Sequence, residues 1–333
     1  MTLPKLQLTL ETVTPLFLGG ATQQPELRPA SVRGQLRFWL RAALGGVIGD
    51  HNCNLLSQLE SNVMGKTDHA SSVVVRITSP SIIPGSEPLL PHKVGNQGGI
   101  VQAFRPNTSF DLILSSRFGA SPDALESAGW SLLLWATLGG LGRRSRRGAG
   151  SIRIKEIVSI PTSFSENLKQ CLESSKDRFD TGEELADHIR TVIEQSRIAF
   201  AAFSSPGIVS FSENLPVFSI LLSQSRVVVW TPLNTDLSDY KTVLSKLMNQ
   251  MSDQKAKLGG LEFEQAFGGI SPRRRASPLV ITAHKLENEW ALVLTYFKAE
   301  ITKGQPGKSC HVTSFLDSLS PKWEVNSTGG AKK

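Results

Sequence analysis

Cysteine is scarce in this 333-residue chain: Cys53, Cys171 and Cys310 stand far apart and in no CxxC pairing. That spacing argues against a disulfide framework and against a cysteine zinc site, which need paired or clustered thiols. Long apolar runs are missing too. The longest, Leu132 to Leu141, falls well short of the ~20 residues that cross a bilayer. The opening MTLPKLQLTLETVTP alternates polar and apolar residues instead of following a basic start with an apolar stretch, so no signal peptide is expected. These absences point to a soluble cytoplasmic protein with no membrane contact. Catalytic signatures are equally thin: there is no HExxH, no GxSxG, and no dense run of acids with metal-site spacing. No metal and no cofactor are expected.

What is present is an ordinary globular composition, 40% hydrophobic and 20% charged, far from the signature of disorder. The length suits about two domains. The formal net charge is +7, and its placement is uneven. Residues 143–155 hold Arg143, Arg144, Arg146, Arg147, Arg153 and Lys155 with no acid, whereas residues 166–194 hold eight acids against four basic residues. A concentrated basic segment is the footprint of a polyanion partner, or simply of a solvated face.

Periodicity orders the chain. Residues 5–13 alternate strictly, as a half-buried strand does. Ser31 is a plausible cap for a helix over 32–44, and 73–77 forms a strand followed by a Pro/Gly-rich insertion from Ser79 to about Asn107. A strand over 110–116 precedes Ser121 and Pro122, a cap and first-turn proline for an apolar helix ending near Gly139; 151–158 alternates again. The order β-α-β-β-α-β is that of the ferredoxin-like unit. A second α+β unit follows, with strands at 217–222, 226–230, 278–284 and 290–297 and a helix at 238–250. The expected fold is therefore α+β, a ferredoxin-like unit with loop insertions followed by a second, less regular α+β unit. The divisions are 1–160, an acidic helical connector at 161–200, 201–325, and a disordered tail at 326–333.

The stretch 138-LGGLGRRSRRGAGSIRI-154 is echoed by 267-FGGISPRRRASPLVI-281, which suggests a duplicated loop-to-strand device. It lacks the GxxxxGK[ST] of a nucleotide-binding loop and leads from a helix into a strand. Gly139, Gly140, Gly142, Gly148 and Gly150 would let the backbone approach a ligand and turn N–H groups outward as an anion nest. Arg143, Arg144, Arg146 and Arg147, with Arg273, Arg274 and Arg275 in the echo, would add planar donors for phosphate. Along the first helix, Arg33, Arg37 and Arg41 form an i, i+4, i+8 stripe that repels itself unless something anionic lies against it. Phe38 falls outside the apolar arc and is either a stacking platform for a base or packed under a loop. For metal-independent RNA cleavage, the candidate acid–base pair is His92 with Lys93 in PHKVGNQGG.

The blocks 14-TPLFLGG-20, 26-ELRPASVRGQLRFWLRAALGG-46, 139-GGLGRRSRRGAGS-151 and 274-RRASPL-279 resemble the RAMP superfamily of CRISPR proteins. More narrowly, they resemble the first-numbered subunits of Cmr (type III-B) effector complexes, with departures at Ala149 and Leu40. The resemblance implies an α+β fold of two tandem ferredoxin-like (RRM-like) domains with loop insertions, and a non-catalytic RNA-binding subunit of a hetero-oligomeric ribonucleoprotein in antiviral defence. It would help to hold guide RNA, target RNA or both near the guide 3′ end, beside other Cmr subunits. It assigns the RNA contacts to the glycine-rich loop and the basic helix already named. Two alternatives stand beside it: a metal-independent endoribonuclease of the same superfamily that processes CRISPR transcripts, and basic surfaces that dock neighbouring subunits.

Overall fold

The structure, a computed structural model, describes residues 3–20, 24–50, 52–81, 83–93, 99–204, 218–221, 225–232, 239–269, 276–298 and 309–325. The chain opens with β1 (Lys5–Thr12), whose alternation buries Leu6, Leu8 and Leu10 completely on one face, roughly 1.5–3 kcal/mol of hydrophobic stabilisation for each side chain. The first helix, α1 (Pro29–Ile48), starts earlier than expected: Arg28 holds the capping position in extended conformation and Pro29 opens the first turn. Ser31 lies inside the helix, so it is not the cap. Next comes α2 (Cys53–Met64), capped by Asn52 and not anticipated from the sequence. β2 (Val73–Ser81) leads into a hairpin of β3 (Pro84–Pro88) and β4 (Ile100–Phe104) inside the insertion. β5 (Ser109–Ser116) and α3 (Pro122–Leu138) follow, the latter capped by Ser121 as expected, then β6 (Ile152–Ser159).

The acidic segment forms α4 (Glu166–Ser174) and α5 (Gly182–Ser204). The second half runs β7 (Ser225–Trp230), α6 (Tyr240–Leu258), α7 (Gly260–Phe267), β8 (Leu279–Lys285), β9 (Trp290–Phe297), α8 (Ser309–Asp317) and β10 (Lys322–Val325). The strand expected at 217–222 is not one where it is described. Residues 218–221 carry no strand; instead Ile220 and Leu221 are buried, and Leu221 N–H donates to Ala42 O of α1 at 2.9 Å. Burial by a helix produces the same apolar run as burial in a sheet. Val217, Leu222 and the tail at 326–333 lie outside the described residues.

Two antiparallel four-stranded sheets result, ordered β2-β5-β1-β6 and β10-β7-β9-β8. In each, the first and third strands of the unit are central, and its second and fourth strands form the edges. The sheets are stacked with helices between them. On β9, Ala291, Val293 and Phe297 join the core shared with α1, α3 and α5, while Trp290, Leu292, Leu294 and Tyr296 join a second core with α6, α7 and α8. Every residue of β9 is therefore buried. The free face of the first sheet is polar: Thr9 donates to Asp111 at 2.8 Å, and Glu11 pairs with Arg153 and Lys155 on β6. Burial raises the Glu11 pKa, but the bonds and charges of Lys155 and Arg153 outweigh it and hold the group below its ordinary value. No helix among the described residues is long and apolar enough to cross a membrane.

Candidate nucleic-acid interface

The glycine-rich stretch after α3 is laid along β8, an edge strand of the second sheet. Gly148 N–H donates to Ile281 O at 3.0 Å, and Ser151 Oγ accepts from Ala283 N–H at 2.9 Å. The loop therefore satisfies backbone groups that an open edge would leave unpaired. It is also locked onto the segment after β1: Arg143 N–H donates to Phe17 O, and Gly150 N–H to Pro15 O, both at 2.9 Å. Gly142 and Gly150 have φ of +84° and +64°. A Cβ on Gly142 would stand 2.6 Å from Phe17 O, and one on Gly150 1.9 Å from Leu141 O. Glycine is thus required by chain against chain. Gly139, Gly140 and Gly148 sit in the same closely packed turn. The expected outward anion nest is corrected for Arg143, Gly148 and Gly150, whose N–H groups are spent on internal carbonyls.

The four loop arginines separate into two pairs. Arg147 donates to Ser277 Oγ at 2.8 Å and to Phe267 O at 2.9 Å, and Arg146 donates to Ser277 O. Both guanidiniums bind the second half through neutral acceptors. Burial, followed by repulsion from Arg144 and Arg146, pushes Arg147 down to about 10, and burial lowers Arg146 as well. Arg144 sits at φ +60° and is lowered by burial, while Arg143 is exposed. The fold therefore gathers cations that no acid among the described residues pairs with, a costly arrangement unless an anion arrives.

These residues wall a groove of about 1670 Å³. One side is residues 142–147; facing it are Phe267, Gly268, Gly269, Ala276 and Ser277, with Ile100, Val101 and Gln102 of β4 and the segment 17–20 completing it. No acidic residue is among the described lining. Arg273, Arg274 and Arg275 lie outside the described residues, but the positions flanking that segment, Gly269 and Ala276, both line the groove. The two helix-to-strand connections are not at equivalent points of the two units: one follows α3 and enters β6, the last strand of its sheet in chain order, the other follows α7 and enters β8, the second of its sheet. They match only as helix-to-strand turns of a βαβ half, so a simple domain duplication does not account for them.

The stripe on α1 is placed differently. Arg37 Nε donates to Glu60 Oε1 at 2.6 Å and its fork reaches Gly65 O, while Arg41 lies 3.6 Å from Glu60. The anion that the stripe calls for is thus a carboxylate of α2, buried to 8% exposure. Arg33 is lowered by burial and then by Arg37 and Arg117. Phe38 packs edge-on against Trp39 and Phe297 at 5.3 and 5.8 Å, with the Arg146 guanidinium 5.3 Å above its ring. Its face is occupied, which corrects the stacking-platform reading. His92 has a buried Nδ1 with no hydrogen-bond partner among the described residues and is lowered by burial, Lys93 and Arg144. Neither His92 nor Lys93 lines the groove. Among the described residues no His, Cys, Asp and Glu cluster could hold a metal ion. Ser277, Thr14 and Glu60 escaped the sequence reading. Thr14 Oγ1 donates to Gly148 O at 2.7 Å and accepts from Ser151 N–H at 3.0 Å, but a lone hydroxyl carries no periodic signal.

A family model described as the RAMP superfamily matches residues 9–153. The chain is 26% identical over 276 residues to the CRISPR system Cmr subunit Cmr1-1 of Pyrococcus furiosus, covering 77% of this chain and 76% of that protein. It is 30% identical over 174 residues to Cmr1-2 of the same organism, covering 44% of this chain and 92% of that protein. The crystal structure of Cmr1 from Pyrococcus furiosus in its apo form superposes with a TM-score of 0.67 at 22% identity, over 97% of this chain and 98% of that one. A chain of the type III-B Cmr-beta complex bound to cognate target RNA, from cryo-electron microscopy, superposes with a TM-score of 0.61 at 14% identity, over 95% and 98%. At these identities the structural likenesses establish the fold.

Proposed function

The chain belongs to the RAMP superfamily, among the Cmr1 subunits of type III-B CRISPR complexes, and from that premise we propose that it is a non-catalytic RNA-binding subunit. It holds guide or target RNA near the guide 3′ end, alongside other Cmr subunits. The observation that carries this reading is the groove of about 1670 Å³ whose cations, Arg143 and Arg144 foremost, have no acid among the described lining. A phosphate backbone laid along it would supply the missing anions. Each half is read as a ferredoxin-like domain, at 1–160 and 201–325 with a helical connector at 161–200. The identical strand order of the two sheets supports that division. The first sheet's free face, carrying Thr9, Glu11, Asp111, Arg153 and Lys155, offers no aromatic platform of the RRM kind among these side chains. That favours the loop groove as the RNA path.

The test is the double substitution Arg143→Ala with Arg144→Gly, glycine being suited to the positive φ at 144. Single-stranded RNA affinity should fall at least tenfold at ~0.15 M salt, and the log–log salt slope should shallow by about 1.4, or ~0.7 per lost phosphate contact. Unchanged affinity in a folded variant would falsify the assigned groove. Incubation of the pure protein with repeat RNA in EDTA checks the non-catalytic part. Specific cleavage that vanishes in His92→Ala would replace it with the endoribonuclease reading.

A further inference from the structure

β5 ends in a tight turn, Arg117 to Ala120, closed by a hydrogen bond from Ala120 N–H to Arg117 O at 3.1 Å. Gly119, the third residue, has φ +77°, the geometry of a type II turn, which leaves Phe118 at the outer corner. Both flanks are pinned. Arg117 N–H donates to Ser72 O at 2.9 Å, and Ser121 caps α3. Phe118 is 94% exposed, the one aromatic among the exposed large hydrophobic side chains of the described residues. A second exposed apolar side chain, Leu3, lies alongside, because Pro4 O accepts from Ser116 N–H at 3.0 Å. Arg117 is exposed, and among the described residues neither it nor Arg33 has a carboxylate partner, whereas neighbouring Arg37 and Arg41 are held by Glu60.

This cluster is remote from the groove. It lies where β1 begins and β5 ends, while the groove lies beyond the other end of β1; eight residues of strand separate the two by roughly 25 Å. An aromatic side chain held on a closed turn loses little freedom on binding. Aromatic and arginine side chains together make up the energetic centres of protein interfaces. A strand of RNA would call for a charged track with faces open to bases; here the exposed side chain at the adjoining strand end is Leu3, and neither it, Phe118 nor Arg117 lines the basic groove. An apolar projection flanked by unpaired arginines instead complements an apolar pocket with carboxylates at its rim.

We propose that Phe118, Leu3 and Arg117 form a docking knob for a neighbouring protein subunit, received by an apolar pocket rimmed with Asp or Glu. The proposal rests on the reading of this chain as one subunit of a multi-subunit complex. The experiment co-expresses the chain with the other protein subunits of its own complex, with an affinity tag on one of those. Retention is compared for the wild type, Phe118→Ser and Arg117→Glu, and RNA affinity and thermal midpoint are measured on each isolated chain. Both substitutions should lower retention at least tenfold and leave RNA affinity and midpoint unchanged. Full retention of both variants would overturn the knob. Loss of RNA affinity in Phe118→Ser would assign the surface to nucleic acid instead. A wild-type chain that is itself not retained would sink the subunit reading, and the knob with it.

Discussion

Arg143 and Arg147 are identical in type and four positions apart, yet the fold gives them opposite work. Arg143 is exposed on the groove wall, while Arg147 is packed against Phe267, Ser277 and Leu279 and donates to each. Removing Arg147 takes its donor from Phe267 O, worth about 1–3 kcal/mol when buried, whereas Ser277 Oγ and Leu279 O keep their bonds to Leu279 N–H and the Ser277 hydroxyl. Part of that is offset because a desolvated guanidinium no longer has to be buried. Arg147→Ala should therefore lose about 2 kcal/mol and a few degrees of thermal midpoint, whereas Arg143→Ala should stay within ~0.5 kcal/mol of wild type. Equal thermal midpoints for the two variants would contradict the division. The basic cluster itself was plain in the sequence. Its division was not, because the acceptors that claim Arg146 and Arg147 lie more than a hundred residues downstream, and local spacing carries no record of them.

Elements with one clean period were legible and those under mixed demands were not. β1, β5 and β9 follow alternation or an unbroken apolar run, and Ser121 and Pro122 mark the start of α3. In contrast, α2 presents Leu56, Leu59 and Val63 inward within a short polar segment, too little apolar surface to stand out. Residues 218–221 look like a strand because a helix buries them. Missing α2 also meant missing why the arginines of α1 tolerate one another. Glu60 is 10% exposed at its side chain, against 33% and 47% for Arg37 and Arg41. Water can therefore recover part of what the arginines lose when the carboxylate is removed. Glu60→Ala should cost about 1–2 kcal/mol, and Glu60→Gln, which keeps an acceptor, about half of that. Urea midpoints measure both, and a midpoint shared by Glu60→Ala and wild type would show that the α1–α2 pairing contributes nothing to stability.

The two halves do not behave as beads on a linker, since one layer of helices serves both sheets and the glycine-rich loop is hydrogen-bonded to the far sheet. The seam also contains two titratable groups kept neutral. His284 on β8 donates from Nε2 to Thr137 O at the end of α3 at 2.8 Å; that nitrogen must carry the hydrogen, because a carbonyl can only accept. His188 on α5 contacts Ser175 Oγ at 2.9 Å and lies against Phe179. Burial brings each histidine down to about 4; His284 further lowers His188, and the bond to Thr137 partly opposes the fall of His284. Arg153, Lys176, Arg178 and Lys285 surround the pair, with Asp177 the acid beside them, so a proton arriving here meets mostly like charge. An unfolded histidine titrates near 6.5. Between pH 6.5 and 4 the unfolded chain therefore binds protons that the folded chain refuses, and stability is full above 6.5 and is lost as the pH falls through this window. For one such histidine the loss is about 1–2 kcal/mol by pH 5. Most carboxylates titrate only at the acid end of that range. Urea midpoints should therefore decline from pH 7.5 to pH 5, and His284→Gln, which keeps a donor for Thr137 O but cannot titrate, should flatten that decline. Wild-type midpoints that are level across the interval would mean that the seam does not depend on these rings being neutral.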